Sequence, residues 1–277
     1  MSNRPGVLIV CATPIGNLGD VTFRVLDALR TVDVIAAEDT RVTRKLLARY
    51  EIRTPLEPYH EHNRAVRTSI LVDRIERGER IALVSDAGTP GVSDPGEQLV
   101  DACLEAGLPV DVLPGASGIL TALVASGLPT HAFYFGGFLP RKAGERSRSL
   151  RALSELDATL VFYESPGRTA ATLASLAEVF PGRRAAMARE LTKLHEEVVR
   201  GEVSELAGRI AGRELRGEVV LLVGPPEGPV QLVLDEEAVR ERLIAAEAAG
   251  ASRRDAVREV AAEMSVPRND VYRISLG

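Results

Sequence analysis

Tryptophan is absent from this 277-residue chain, and Phe and Tyr together make up only 4% of it. Its core must therefore be mainly aliphatic. Cysteine occurs only at Cys11 and Cys103, each within an apolar run. That usage excludes a disulfide framework and a zinc cysteine set, and fits small core residues in a reducing compartment. Lysine is nearly missing: Lys45, Lys142 and Lys193 stand against 31 arginines. Arginine's planar, permanently charged fork is the better phosphate partner. No apolar run is long enough to span a bilayer. The run from Val7 to Ala12 is too short for a signal sequence and is broken by Thr13-Pro14-Ile15-Gly16. These features read as a soluble cytoplasmic protein. A net charge of −5 argues against non-specific polyanion binding but allows local basic patches. The length admits two domains of ordinary size. Internal repeats and low-complexity segments are also missing.

The most informative stretch is Ile81 to Gly96. The apolar run Ile81 to Val84 predicts a buried strand that ends in Ser85-Asp86. Eight of the next ten residues are Ala, Gly, Pro, Ser or Asp. A helix follows, with Glu97, Leu99, Val100, Cys103 and Leu104 at helical spacing and Gly107 as its stop. Small-residue loops between a strand and a helix are where α/β sheets bind ligands, and this loop is longer than a turn needs.

Strands alternating with helices predict an α/β fold with a largely parallel sheet. Strands are expected at Val7 to Ala12, Val34 to Ala37, Leu56 to Tyr59, Pro109 to Leu113, Ala132 to Gly136, Thr159 to Tyr163, Arg184 to Ala188 and Glu218 to Gly224. Asn63 is expected to cap a helix reaching about Arg77. Breaks near Pro114 and Pro226 divide the chain into an N-terminal α/β domain (1–114), a C-terminal α/β domain (115–226) and a helical extension (227–277). The extension reads as a helix from Glu236 to about Ala249, a Ser252 cap, a second helix to Met264, a turn over residues 265–268 and a third helix to Ser275. Such a helix-turn-helix either touches nucleic acid or packs on its parent domain.

Five segments carry a specific pattern. They are Ala12-Thr13-Pro14-Ile15-Gly16-Asn17-Leu18-Gly19-Asp20, Glu38-Asp39-Thr40-Arg41, Ser85-Asp86-Ala87-Gly88-Thr89-Pro90-Gly91, Phe162-Tyr163-Glu164-Ser165-Pro166, and Ala188-Arg189-Glu190-Leu191-Thr192-Lys193 with Glu196-Glu197. Together they resemble the small-subunit ribosomal RNA ribose 2′-O-methyltransferases of the tetrapyrrole-methylase superfamily, from about Gly6 to Gly224. The tail resembles that family's helical extension. The resemblance implies two α/β domains closing on S-adenosylmethionine, usually in a homodimer, and methylation of a decoding-site cytidine of 16S ribosomal RNA on its 2′-hydroxyl. It also implies donor-binding positions. These are Pro14 and Gly16, the loop Ser85, Asp86, Ala87, Gly88, Thr89 and Val92, the turn Ala116-Ser117, Tyr163, and Leu191-Thr192. Many tetrapyrrole-type members have Gly-Asp-Pro where this chain has Ser85-Asp86-Ala87, which leaves Asp86 either facing the donor or closing an Asx turn.

A ribose hydroxyl is a poor nucleophile, so a general base is expected within hydrogen-bond reach. Glu38, Asp39, Glu164, Glu190, Lys193 and His195 are the candidates, and the residues do not decide among them. Glu190 and Lys193 have the spacing of a helical ion pair. Phosphate tracking is expected from Arg41, Arg44 and Lys45 in one domain. In the other it is expected from Arg141, Lys142, Arg146 and Arg148, in a basic loop over residues 139–151. His60-Glu61-His62 lacks a nearby third ligand, so no metal is expected. Two other functions fit the same pattern: methylation of a tetrapyrrole or other small molecule, and non-catalytic RNA binding in ribosome assembly. A nicotinamide dehydrogenase does not fit, because the glycine spacing is wrong.

Overall fold

The computed structural model describes residues 6–226, 236–248, 250–264 and 268–276. The chain forms two compact units, Met1–Pro226 and Glu227–Gly277. In the first, strands β1 (Val7–Cys11), β2 (Val34–Ala37), β3 (Leu56–Pro58), β4 (Arg80–Val84) and β5 (Val110–Leu113) make a sheet in the order β3-β2-β4-β1-β5. Every pairing in it is parallel. Because side chains alternate along a strand, both faces must be covered. Ile9, Cys11, Ile35, Ala37, Ala82 and Val84 pack on α1 (Phe23–Thr31) and α2 (Thr40–Arg49). Leu8, Val10, Val34, Ala36, Ile81 and Leu83 pack on α3 (Arg64–Glu76) and α4 (Gly96–Glu105). Cys11 and Cys103 are both buried free thiols in these cores.

The second sheet departs from the expected parallel arrangement. Helix α5 (Gly118–Ser126) leads to β6 (Phe133–Phe138), α6 (Ala143–Arg151), β7 (Thr159–Glu164), α7 (Pro166–Val179), β8 (Arg184–Arg189), β9 (Glu197–Glu202), α8 (Val203–Ile210) and β10 (Val219–Val223). The order is β6-β7-β10-β8-β9. Only β6 and β7 run parallel; the other three pairings are antiparallel. The turn between β8 and β9 joins neighbouring strands without a helix, as antiparallel pairing permits. An apolar run such as Val219–Val223 reveals a buried strand but not its direction. Strand β9 gives little apolar signal because Val199 is its one buried residue, and Glu197, Arg200 and Glu202 lie along the edge. One face of this sheet packs on α6, α7 and α8 through Leu150, Leu173, Leu176, Leu206 and Ile210. The other packs on α5 and on Ile15.

Two local expectations need correction. The basic loop over residues 139–151 is mostly helix α6, because Arg146 and Leu150, four apart, turn one buried face toward α7. Asn63 stands before α3 but makes no cap hydrogen bond; it accepts from the His60 amide (2.9 Å) and donates to the Pro58 carbonyl (3.0 Å). Thr22 and Ser117 do cap their helices, at α1 and α5.

The second unit has its own small core of Val239, Leu243, Ala256, Val257, Val260, Val271 and Ile274. These residues belong to α9 (Glu236–Ala248), α10 (Arg253–Glu263) and α11 (Arg268–Ile274). Ser252 accepts from the Asp255 amide, as expected of a cap. Residues 249 and 265–267, which include most of the expected turn, lie outside the described residues. No described helix is long and apolar enough to cross a membrane.

Candidate active site

A cleft of about 450 Å³ opens between the two sheets of the first unit. From the parallel sheet it takes segments leaving the carboxyl ends of four strands: Ile15 after β1, Glu38 after β2, Asp86 to Asp94 after β4, and Ser117 to Ile119 after β5. This is where α/β sheets hold ligands. The mixed sheet supplies Phe138, Tyr163 to Pro166, Ala188, Leu191 and Gly217 to Val220.

The two small-residue loops are tied together. Thr13 and Gly88 exchange backbone hydrogen bonds (2.8 and 3.0 Å), and the Thr13 hydroxyl donates to the Ser85 carbonyl (3.0 Å). Gly88 has φ +76°, which suits glycine. Asp94 holds the far end of the loop by accepting from the amides of Gly91 and Gly96. Asp86 accepts from the Asp39 amide (2.9 Å), while its own amide donates to Glu38 (3.2 Å). The carboxylate of Asp86 thus bridges the ends of β4 and β2 rather than closing a turn on its own loop.

Four carboxylates line the cleft (Glu38, Asp86, Asp94 and Glu218), with no lysine, arginine or histidine among the described lining residues. Partial burial pushes the Glu38 carboxyl up, and the neighbouring Asp86, Asp94 and Asp39 add to the rise. Burial likewise raises Asp86, with Asp39 adding to it. Such a site favours a cation. An aromatic wall completes it: the Tyr163 ring meets Phe135 edge-on at 5.1 Å and Phe138 at 5.7 Å, and Phe138 stays 57% exposed. An apolar wall, carboxylates and glycine loops suit a sulfonium-bearing nucleoside in both charge and size.

Backbone strain gathers at the same place. Three of the four described non-glycine residues with positive φ are Ser93 (+67°), Glu190 (+52°) and Thr192 (+66°). Such conformations persist where the surroundings enforce them. Glu190 pairs with Lys193 at 2.9 Å, and Lys193 also pairs with Glu218 at 3.2 Å. The Glu190–Lys193 pair sits in a turn, not in the helix that its spacing suggested. Gly217 has φ +83°, which suits glycine, and a Cβ there would displace the Glu190 carboxyl. Across the cleft, the Thr192 hydroxyl accepts from the Asn17 amide (3.1 Å), and Gly16 fits against Leu191 to Lys193.

The expected donor-binding residues Asp86, Ala87, Gly88, Thr89, Val92, Ser117, Tyr163 and Leu191 all line the cleft. Pro14, Gly16, Ser85, Ala116 and Thr192 are neighbours of lining residues. The base candidates separate. Glu38 lines the wall. Asp39 caps α2 and pairs with Arg41, which lowers its carboxyl to about 2. Glu164 has no exposed side-chain surface: Arg168 (3.2 Å), Thr172 (2.6 Å) and the Ser165 amide (2.8 Å) engage both its oxygens. Burial works to lower Lys193, but Glu190 and Glu218 outweigh it and hold the ammonium above its ordinary range. Its partner Glu190 is lowered, chiefly by Lys193. A protonated, paired Lys193 cannot serve as a base. His195 does not line the cleft.

The basic residues separate too. Arg44, Lys45, Arg141, Lys142 and Arg148 are exposed, although Lys142 pairs with Glu145 at 3.2 Å. Arg41 is exposed and bound to Asp39. Arg146 corrects the expectation: it is buried, and its guanidinium donates to Ser175 (2.9 Å) and to the carbonyl of Arg141 (3.2 Å). His60 and His62 lie edge to face at 6.0 Å, while Glu61 pairs with Arg64. Among the described residues no three His, Cys, Asp or Glu side chains cluster as a metal site. Sequence reasoning missed Phe138, Gly217 and Glu218. The one available signal was a glycine immediately before an apolar strand.

The model of the Tetrapyrrole (Corrin/Porphyrin) Methylases matches residues 7–207. The chain is 44% identical to "Ribosomal RNA small subunit methyltransferase I" of Synechocystis, over 98% of each chain. It is also 44% identical to the Bacillus subtilis protein of that name, over 96% of this chain and 93% of that one. Among solved structures, the methyltransferase CobJ shares the fold, with TM-score 0.62 and 24% identity over 80% of this chain and 95% of that one. The chain therefore belongs to the tetrapyrrole methylase family, as a methyltransferase that uses S-adenosylmethionine.

Proposed function

We propose that this enzyme methylates a ribose 2′-hydroxyl of ribosomal RNA in the small subunit, at a decoding-site cytidine. The observation that carries this reading is an acid-lined cleft whose lining residues Glu38 and Phe138 are each followed in the chain by exposed cations. Glu38 starts α2's approach, so Arg44 and Lys45 follow it within two turns; Arg141, Lys142 and Arg148 follow Phe138. Rims of this kind track phosphates while the target nucleoside enters. A wide apolar cavity for a tetrapyrrole would not need them. Relatives named for ribosomal RNA methylation support the same substrate. A cytoplasmic homodimer, with the lobes 1–114 and 115–226 closing on the donor, completes the proposal.

S-adenosylmethionine supplies an electrophilic methyl group on a positively charged sulfur. Asp86 and Asp94 favour that charge, and the loop from Ser85 to Val92, with Ser117, Tyr163 and Leu191, forms the pocket around it. Glu38 is the general base. Its raised carboxyl pKa brings it nearer the working pH, and its Oε atom accepts the proton released by the 2′-hydroxyl. The closed lobes hold the hydroxyl in line, the source of much of the rate enhancement in such transfers.

The test supplies labelled methyl donor with small ribosomal subunits, naked ribosomal RNA and a tetrapyrrole. The expected label is on RNA, in a dinucleotide that resists alkaline hydrolysis because its 2′-oxygen is blocked. Label on the tetrapyrrole alone, or on a base, would overturn the reading.

A further inference from the structure

The second unit carries a feature that the cleft chemistry does not use. Helices α10 and α11 frame an open depression of about 490 Å³ lined by Arg253, Arg254, Val257, Arg268 and Tyr272. This unit is not basic as a whole, and its arginines fall into two sets. Arg240, Arg242, Arg258 and Arg273 are each paired with a carboxylate. Arg253, Arg254 and Arg268 are exposed and have no ion-pair partner among the described residues. Asp255, on the same turn, is bound by the Ser252 hydroxyl (2.6 Å) and Arg258 (2.9 Å), while Arg254 acts on it through charge alone. Tyr272 stands beside the three arginines with 55% of its surface exposed.

Four arginines held by carboxylates, and three around one aromatic ring with no ion-pair partner among the described residues, make a pattern with a chemical meaning. Guanidinium forks bind phosphate oxygens in pairs. An exposed aromatic face stacks on an unpaired base whatever its identity. An acidic peptide would use the arginines but not the ring.

We propose that this groove binds a stretch of unpaired RNA, with Arg253, Arg254 and Arg268 on its phosphates and Tyr272 stacked on a base. The groove is a second RNA contact, made by a different unit from the one that holds the methyl donor. It rests on the ribosomal RNA reading given above. The charge contribution and the stacking contribution are separable, because only the former releases counterions.

The experiment measures binding of the full chain to a short, unpaired, fluorescein-labelled RNA across a salt series. Arg253→Gln with Arg268→Gln is expected to weaken binding about tenfold and to make the salt slope shallower by about 1.4, two phosphate contacts on a single strand. Tyr272→Ala is expected to weaken it about fivefold with the slope unchanged, and Tyr272→Phe to restore it. Circular dichroism checks each fold. Should Arg268→Gln unsettle the helices, Arg253→Gln with Arg254→Gln asks the same question at the exposed start of α10. Unchanged affinity and slope in the folded variants would overturn the inference while leaving the proposed reaction intact. Tighter binding to a polyglutamate peptide than to RNA would also overturn it. If the unaltered chain bound no RNA, the ribosomal RNA reading itself would fall.

Discussion

The parallel sheet and the mixed sheet serve one cleft by different means. The parallel sheet sends out long loops whose carboxylates are available: Glu38 accepts from the Asp86 amide, Asp86 accepts from the Asp39 amide, and both face the cavity. The mixed sheet spends several of its charges internally, although Glu218 also reaches the cavity. Glu164 is saturated by Arg168 and Thr172, Glu190 is locked to Lys193, and Arg146 is buried against Ser175. Charged residues alike in sequence therefore differ in use: Glu38 and Asp86 face the cavity, while Glu164, Glu190 and Arg146 brace the opposite wall.

The sharpest way to break this division is to exchange one carboxylate from each sheet. Glu38→Gln is expected to lower kcat by about 10²–10⁴-fold, the usual contribution of a positioned general base. Because burial raises the Glu38 carboxyl, wild-type activity should fall as pH drops through a pKa above the usual glutamate range, and the variant should lose that limb. The stability effect has the opposite sign. A carboxyl raised in the fold contributes stability that is present below its unfolded pKa and lost as pH rises through its folded pKa. Glu38→Gln should therefore unfold at a higher temperature than wild type near neutral pH, with the gain vanishing in acid. Glu164→Ala should do the reverse. It removes the carboxylate partner of the buried Thr172 and of the half-buried Arg168, and about 1–3 kcal/mol of stability should be lost in denaturant unfolding.

A smaller effect tests the strained turn. Gly217→Ala places a Cβ against the Glu190 carboxyl and forces alanine into φ +83°, costing about 1–3 kcal/mol and weakening donor affinity in calorimetry. In a Glu190→Ala background the overlap is gone and only the conformational cost should remain. Smaller still is the contrast within α6. Arg146→Ala should cost about 1–3 kcal/mol of stability, as a hydrogen-bonded buried group does. Arg141→Glu with Lys142→Glu should leave the unfolding midpoint within about 1 °C while weakening RNA capture, as surface substitutions do.

The same division explains what the sequence could disclose. The first lobe was legible because its central strands carry apolar runs and the loops after β1 and β4 carry Gly, Pro and Asp in quantity; Val34–Ala37 has the expected bounds. The second lobe was harder. Strand direction leaves no trace in composition, and β9 fully buries only Val199. Whether a charge is spent inside the protein depends on what lies across from it. Arg146 and Arg148 are indistinguishable neighbours in the sequence, yet Ser175 and the carbonyls around it claim only the first. Glu218 likewise reaches the cleft because β10 is inserted between β7 and β8, a placement set by topology.

That the cleft is built for a cation can be tested by comparing binding of S-adenosylmethionine with binding of S-adenosylhomocysteine, its uncharged thioether counterpart, in wild type and in Asp86→Asn. The asparagine oxygen can still accept from the Asp39 amide, so the substitution removes charge and little else. The preference for the charged ligand should fall about tenfold in the variant while thioether affinity stays constant, as expected for one carboxylate acting at short range. Equal loss of both ligands, or of neither, would contradict the account.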